Sequence, residues 1–232
     1  MNRPRVIAGT AVLAIVFSLA AISAKATLLV FNSATSAGNA AAKAAWQAAI
    51  PSGVSMHLVD FESGFANNQD IHNVGGLFPE GLVIRDTNAG GGGLNAVIRS
   101  GAGVINGSNP IGTFALTHDE LAFLELDFSA KPILALSFND IDQAGTTGIV
   151  TFVGGGTENI FFETTAVSGD SAEFYGIVAQ GMPPITKVQL DASGDGRWGV
   201  DNLMYAVPEP GTLAILGLGL VGIGAARWRR LG

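Results

Sequence analysis

Two acidic residues stand where strand periodicity would bury them. Glu62 ends the segment Asp60-Phe61-Glu62 after an alternating run that begins at Val54, and Asp201 lies inside Trp198-Gly199-Val200-Asp201-Asn202-Leu203. Side chains alternate across a strand, so Glu62 is predicted to share a face with Val54, Met56 and Leu58, and Asp201 to share one with Leu203 and Tyr205. A carboxylate buried on such an apolar face costs roughly several kcal/mol unless a cation, an arginine or water compensates it. Two such acids meeting at one end of a sheet, joined by backbone carbonyls, suit Ca²⁺, a hard cation that takes about six to eight oxygen ligands in loose geometry. The alternative is that both are solvated at strand ends or paired with Arg85 or Arg197.

The other chemistry-bearing residues say less. Asp191, Asp195 and Asn202 flank Gly194-Asp195-Gly196, but they lack the alternating acids and distal Glu of an EF-hand loop, and a hairpin turn accounts for them. His118-Asp119-Glu120 are consecutive, so on a strand they cannot all face one ion; they read as a polar loop. His57, His72 and His118 form no His-Glu-x-x-His arrangement, and no serine occupies a Gly-x-Ser-x-Gly elbow. The glycines at 90–93 and 154–156 are not followed by a Lys-Ser/Thr pair or a capped helix, so they are strand connections, not phosphate cradles. Cysteine is absent, which removes disulfides, thiolate metal sites and a Cys nucleophile. A non-catalytic protein is expected. Trp46, Tyr175 and Trp198 are the aromatics a sugar could stack on, with core packing the safer expectation for each.

The elements that must position these residues follow from periodicity. Residues 27–31 form a short strand candidate, and an alanine-rich segment up to Ile50, preceded by possible caps at 33–36, places Ala42, Trp46, Ala49 and Ile50 on one helical face. From Val54 the period changes to two. Strands are predicted at 54–62, 81–86, 95–99, 112–116, 121–128, 133–138, 148–153, 159–163, 172–179, 186–191 and 198–205. Leu124, Leu126 and Phe128 alternate with Glu125 and Asp127, the pattern of a sheet with one face in water. Many short strands without repeated helices predict an all-β fold, an antiparallel β-sandwich of jelly-roll type with one short N-terminal helix. Between Thr27 and Tyr205 there are six Lys or Arg against eighteen Asp or Glu, a surface that repels nucleic acid and suits cations or neutral glycans.

Both ends of the chain read as targeting segments. Residues 1–26 carry Arg3 and Arg5, an apolar stretch and Ala24-Lys25-Ala26, which predicts a signal peptide cleaved after Ala26 and export across the inner membrane. At the other end, residues 206–232 contain Pro208-Glu209-Pro210, an apolar run at 213–226 and Arg227, Arg229 and Arg230. Prolines lack a donor and fix φ, so the signature is expected to stand clear of the fold and leave residues 27–205 as the β-domain. The apolar run spans about 21 Å as a helix against a hydrocarbon core of roughly 30 Å, so it is a marginal anchor with its basic end in the cytoplasm.

In this order of parts the tail closely resembles the PEP-CTERM sorting sequence of Gram-negative bacteria. The resemblance implies recognition by an exosortase, a membrane protease/transpeptidase, with Pro208, Glu209 and Pro210 read by the enzyme and the membrane engaged only transiently through 207–230. It implies a protein of the cell surface or extracellular matrix. The first strand, the Ala-rich helix, Asp60-Phe61-Glu62, Phe174-Tyr175-Gly176-Ile177-Val178 and Gly199-Val200-Asp201-Asn202-Leu203 are similar, in that order, to jelly-roll ectodomains found among such proteins. Those domains look like carbohydrate-binding sandwiches with a structural calcium, which implies Glu62 and Asp201 as its ligands and an exopolysaccharide as a partner.

Overall fold

The computed structural model describes residues 26–33, 38–86, 96–100, 113–119, 123–141, 146–162, 173–191 and 197–209. Residues 1–25, Pro210, the apolar run, Arg227, Arg229 and Arg230 lie outside these, as do Glu120, Asp195 and the glycines at 90–93.

Among the described residues the chain runs β1 (Thr27–Asn32), α1 (Asn39–Ala49), β2 (Val54–Val59), β3 (Gln69–Asp70), β4 (Val83–Asp86), β5 (Val97–Ser100), β6 (Phe114–Asp119), β7 (Phe123–Asp127), β8 (Ala135–Ile141), β9 (Thr146–Phe152), β10 (Thr157–Phe162), β11 (Glu173–Gln180), β12 (Ile185–Asp191) and β13 (Arg197–Pro208). Every predicted strand is found within a few residues. The two-residue β3 is the one that period-two reading passes over, because two residues carry no alternation.

The strands form two antiparallel sheets. The larger has the order β1-β11-β8-β13-β6-β5-β3, with β2 also pairing β13, and the smaller the order β10-β9-β12-β7-β4. The fold is an antiparallel β-sandwich with one helix. Alternation explains the smaller sheet: Leu124, Leu126, Val150, Ile160, Phe162, Val188 and Leu190 are buried, and their neighbours in sequence point the other way. These inward side chains meet Phe138, Tyr175, Ile177, Val200 and Tyr205 of the larger sheet in one continuous core.

The larger sheet is covered on both faces near its centre, which is why β8 and β11 are buried almost without interruption. The second cover is α1. Its Trp46 is buried with Phe174, Val178, Met204 and Ala206 in a separate cluster, and the indole Nε1–H donates to the Ile177 carbonyl at 3.1 Å. Gly176 allows this close approach, since a Cβ there would lie 2.6 Å from Trp46 Cδ1. Trp46 is thus the core anchor of the helix. Tyr175 is buried against Phe162, with centroids 4.6 Å apart, so it too is core.

Two differences from the sequence reading bear on function. First, β13 runs three residues past Tyr205, to Pro208, so Pro208 does not stand clear of the fold. Pro208 occupies the last rung, opposite Val54, beyond the last β8 rung at Ala206, where a missing donor is tolerated. Second, Met56 (45% exposed) and Leu58 (55% exposed) face outward, while Val59 and Phe61 are buried. The face predicted to bury Glu62 is the outer one.

Candidate functional site

Glu62 and Asp201 come to the same end of the β2–β13 ladder, whose last rung is Val59–Leu203. A left-handed residue stands next to each acid, Phe61 just past the end of β2 and Asn202 within β13. Phe61 has φ 60° and Asn202 φ 48°. Asp60 Oδ1 accepts the Glu62 N–H at 3.1 Å and stabilises the turn that swings the Phe61 ring into the core. Asp201 Oδ1 accepts the Asn202 N–H at 2.6 Å, beside an irregularity in the β8–β13 register between Asp201 and Met204. Asp201 is fully buried, as expected.

The Glu62 carboxylate reaches the start of β6. The Thr113 N–H lies 2.8 Å from Oε1 and 3.0 Å from Oε2, and the Phe114 N–H lies 3.1 Å from Oε1. Both oxygens therefore accept from amides, which ties the turn after β2 to the start of β6. Among the described residues no group of three or more His, Asp or Glu side chains converges. A cleft of ≈ 220 Å³ lies nearby, bounded by Leu58, Asp60, Ser63, Phe65, Phe78 and Pro79. Its rings are committed to packing, with Phe65 stacked on Phe78 at 5.9 Å and both against Phe61.

A more extensive arrangement covers the outer face of the smaller sheet. Register places Arg85, Glu125, Gln189, Ile149 and Asn159 in one row across β4, β7, β12, β9 and β10. The Glu125 carboxylate is buried beneath its neighbours. It accepts from Arg85 Nη1 at 3.1 Å and from Gln189 Nε2 at 3.1 Å, and pairs with Lys187 Nζ at 3.1 Å. Arg85 also bonds Asp127, and its Nε donates to Asn73 Oδ1 at 2.9 Å. Burial pushes the Asp127 carboxyl up, but bonds from Ser129 and Arg85 outweigh it and hold the group below the ordinary Asp value. The bonds to Asp127 and then Glu125 raise Arg85 above its already high ordinary value, against its burial. The side chains of the network are thus fixed in place by one another.

The next row runs Phe123, Asp191, Thr147 and Phe161 across β7, β12, β9 and β10. Phe123 is 42% exposed and Phe161 59% exposed. Three inter-strand steps set them about 14 Å apart. The face therefore offers two apolar rings at the ends of a row, beside a held row of amide, carboxylate and guanidinium groups. Sequence reasoning did not single out these residues, yet it carries a signal: each Phe has the parity of polar neighbours, Phe123 that of Glu125 and Asp127, and Phe161 that of Asn159. The side chains of His118 and Trp198 lie outside the described residues.

The segment 206–209 meets the larger sheet directly. Ala206 and Val207 are 0% and 2% exposed, the Leu134 N–H donates to the Ala206 carbonyl at 2.8 Å, and the Glu209 N–H donates to the Gly53 carbonyl at 3.0 Å. Thr27 pairs with Gln180 and Val54 with Pro208, so the start of β1 and the end of β13 lie at the same end of the larger sheet.

Residues 206–230 match the PEP-CTERM protein-sorting motif. The comparison with curated proteins gives no match. Among solved structures the chain is similar to a mutant family 29 carbohydrate-binding module complexed with mannohexaose (12% identity, 66% of this chain and 92% of that one, TM-score 0.38). It is also similar to a cleaved adhesin domain of Lys-gingipain (8% identity, 65% and 97%, TM-score 0.41). A third similarity is to the enzymatically active domain of bacteriophage CBA120 tailspike protein 4 (15% identity, 54% and 19%, TM-score 0.31).

Proposed function

We propose that this is an exported, non-catalytic protein of the cell surface or extracellular matrix, sorted by an exosortase through residues 206–230. The motif match over those residues carries the reading. The membrane is engaged transiently through the apolar run and the arginines at 227, 229 and 230, which are absent from the mature form. The test is the intact mass of the mature protein from cells with and without exosortase. The expected result is loss of the tail only where the enzyme is present; an intact tail in both strains rejects the reading.

A second reading, favoured by the outer face of the smaller sheet, is a carbohydrate-binding domain for exopolysaccharide. Rings at the ends of one row can stack on sugar faces, while Gln189, Thr147 and Asp191 supply donors and acceptors beside them. The jelly-roll topology and a structural calcium held by Glu62 and Asp201 belong to this reading as proposals. Pull-down on the host's own polysaccharide is the measurement. Phe161→Ala should lose binding while melting as the wild type does, and correctly folded wild-type protein that binds nothing counts against the reading.

A further inference from the structure

We infer that the outer face of the larger sheet along β2 is a membrane-facing surface, laid on the phospholipid bilayer while the apolar run still tethers the chain. Directly opposite residues of an antiparallel pair share a face, so Met56 and Leu58, opposite Ala206 and Met204, stand on the side that α1 covers. The helix packs chiefly over β1 and β11 and leaves this edge open. Met56 is 45% exposed and Leu58 55% exposed, whereas Met204 and Ala206 beside them are buried in the cluster of Trp46. Val54 and Ile50, half-buried against that cluster, continue the apolar stripe to an exposed tip at Pro51, Ser52 and Gly53. Among the described residues β2 pairs with β13 alone, so nothing in the sheet itself covers the stripe.

Charge selects the occupant. All eighteen acidic residues between Thr27 and Tyr205 lie at Asp60 or later; residues 27–59, which make β1, α1 and β2, hold none, and Lys43 is their one Lys or Arg. The exposed side of α1 accordingly consists of alanines with Lys43 and Gln47. In a domain whose remaining charge repels anionic lipid, this is the face that a phospholipid surface does not oppose. Position agrees with charge. β13 ends at Pro208, opposite Val54, and the apolar run begins at Leu213. The four residue steps from Glu209 to Leu213 reach at most about 14 Å, so the Val54 end of β2 stays beside the bilayer. Two exposed apolar side chains are too few to hold a free domain on lipid, but a short tether supplies an effective concentration on the order of mM, at which a weak contact is occupied. Removal of the tail ends that advantage, so the contact orients the precursor and lets the mature domain go. This orientation presupposes the membrane-tethered precursor of the sorting reading.

The chain has no cysteine, so single cysteines report position. Met56→Cys, Leu58→Cys and Phe161→Cys, the last 59% exposed on the opposite side of the sandwich, are each labelled with bimane in the full chain. The labelled chains are reconstituted into phosphatidylethanolamine–phosphatidylglycerol vesicles and titrated with doxyl-labelled lipid. The expected result is loss of bimane emission at positions 56 and 58 and none at 161. A second arm adds Met56→Glu to the Leu58→Cys chain, which should relieve the quenching at 58 without detaching the chain from the vesicles. Equal quenching at all three positions, quenching at none, or quenching at 58 that Met56→Glu leaves unchanged overturns the inference while the chain still floats with the vesicles and the tether stands. Excimers between pyrene labels at Leu58→Cys, without quenching by lipid, would place a second copy on the stripe and overturn it as well. A chain that does not float with the vesicles overturns both this orientation and the membrane step of the sorting reading.

Discussion

Glu62 accepts from two amides at the start of β6, and its two readings, loop closure and calcium, make different predictions. Hydrogen bonds to a charged group are worth about 1.5–3 kcal/mol when neither partner has an alternative. If loop closure is its role, Glu62→Ala lowers the melting temperature equally with and without EDTA. If calcium is bound, EDTA lowers the wild-type curve and leaves Glu62→Ala and Asp201→Ala unmoved. Differential scanning calorimetry in the two buffers separates these outcomes. The sequence told correctly that Asp201 is buried. It misjudged the burial of Glu62 because the face of Met56 and Leu58 is the outer one, and it did not foresee that Phe61 turns left-handed before Glu62. Nothing in the type Phe signals that conformation. The Asp60 side chain that stabilises it is visible only once the turn exists.

Arg85 makes a pH-dependent prediction at the same scale. Removing it in Arg85→Met leaves the buried Glu125 with Lys187 and Gln189 and deprives Asp127 of its cation. Since Arg85 is partly in water, the loss at neutral pH should be about 1–2 kcal/mol, below the range for a fully buried pair. The folded state holds the Asp127 carboxyl below its unfolded value. That contribution is present above the unfolded value of about 3.9 and disappears as the pH falls through the lower folded value. Urea midpoints of wild type and Arg85→Met should therefore differ at pH 7 and converge on acidification below about pH 4. A gap that stays constant would mean that Asp127 is not held by the guanidinium.

Among the elements, α1 and β13 show what periodicity can and cannot reach. The helix was legible from Ala42, Trp46, Ala49 and Ile50 at helical spacing, and Trp46 proved to be its buried anchor. Its docking site was not legible, because it depends on Gly176 lying beneath the indole, 130 residues away in sequence and brought there by the β1–β11 and β8–β11 ladders. Gly176→Ala should push the indole out of place and cost about 1–3 kcal/mol, the range for overpacking a well-filled core. Tryptophan fluorescence should shift to the red along with the fall in urea midpoint. An unchanged spectrum and midpoint would mean that α1 does not depend on this contact. The end of β13 was misread for a different reason. Proline bars a residue from the middle of a sheet, but Pro208 stands on a final rung flanked by one strand, where the rule does not apply.

For the molecule as a whole, charge limits what the outer face can bind. Six basic against eighteen acidic residues between Thr27 and Tyr205 give a domain whose field opposes polyanions at a distance, although Arg85 and Lys187 lie within the face itself. Both cations are already paired with Glu125, so they are not available as a separate anion site. Contact with a glycan would then rest on ring stacking and neutral hydrogen bonds, which salt hardly affects, while long-range repulsion of a uronate polymer is screened. Raising ionic strength from about 0.1 to 1 M shortens the Debye length from about 10 to 3 Å. Affinity for a neutral polysaccharide should stay within about twofold over that range, whereas retention on an acidic one should be weak at low salt and rise with it. Affinity electrophoresis at a series of salt concentrations reads both. A steep loss of neutral-glycan binding with salt would show that free charge, rather than the rings of Phe123 and Phe161 and the held polar row between β4 and β10, makes the contact.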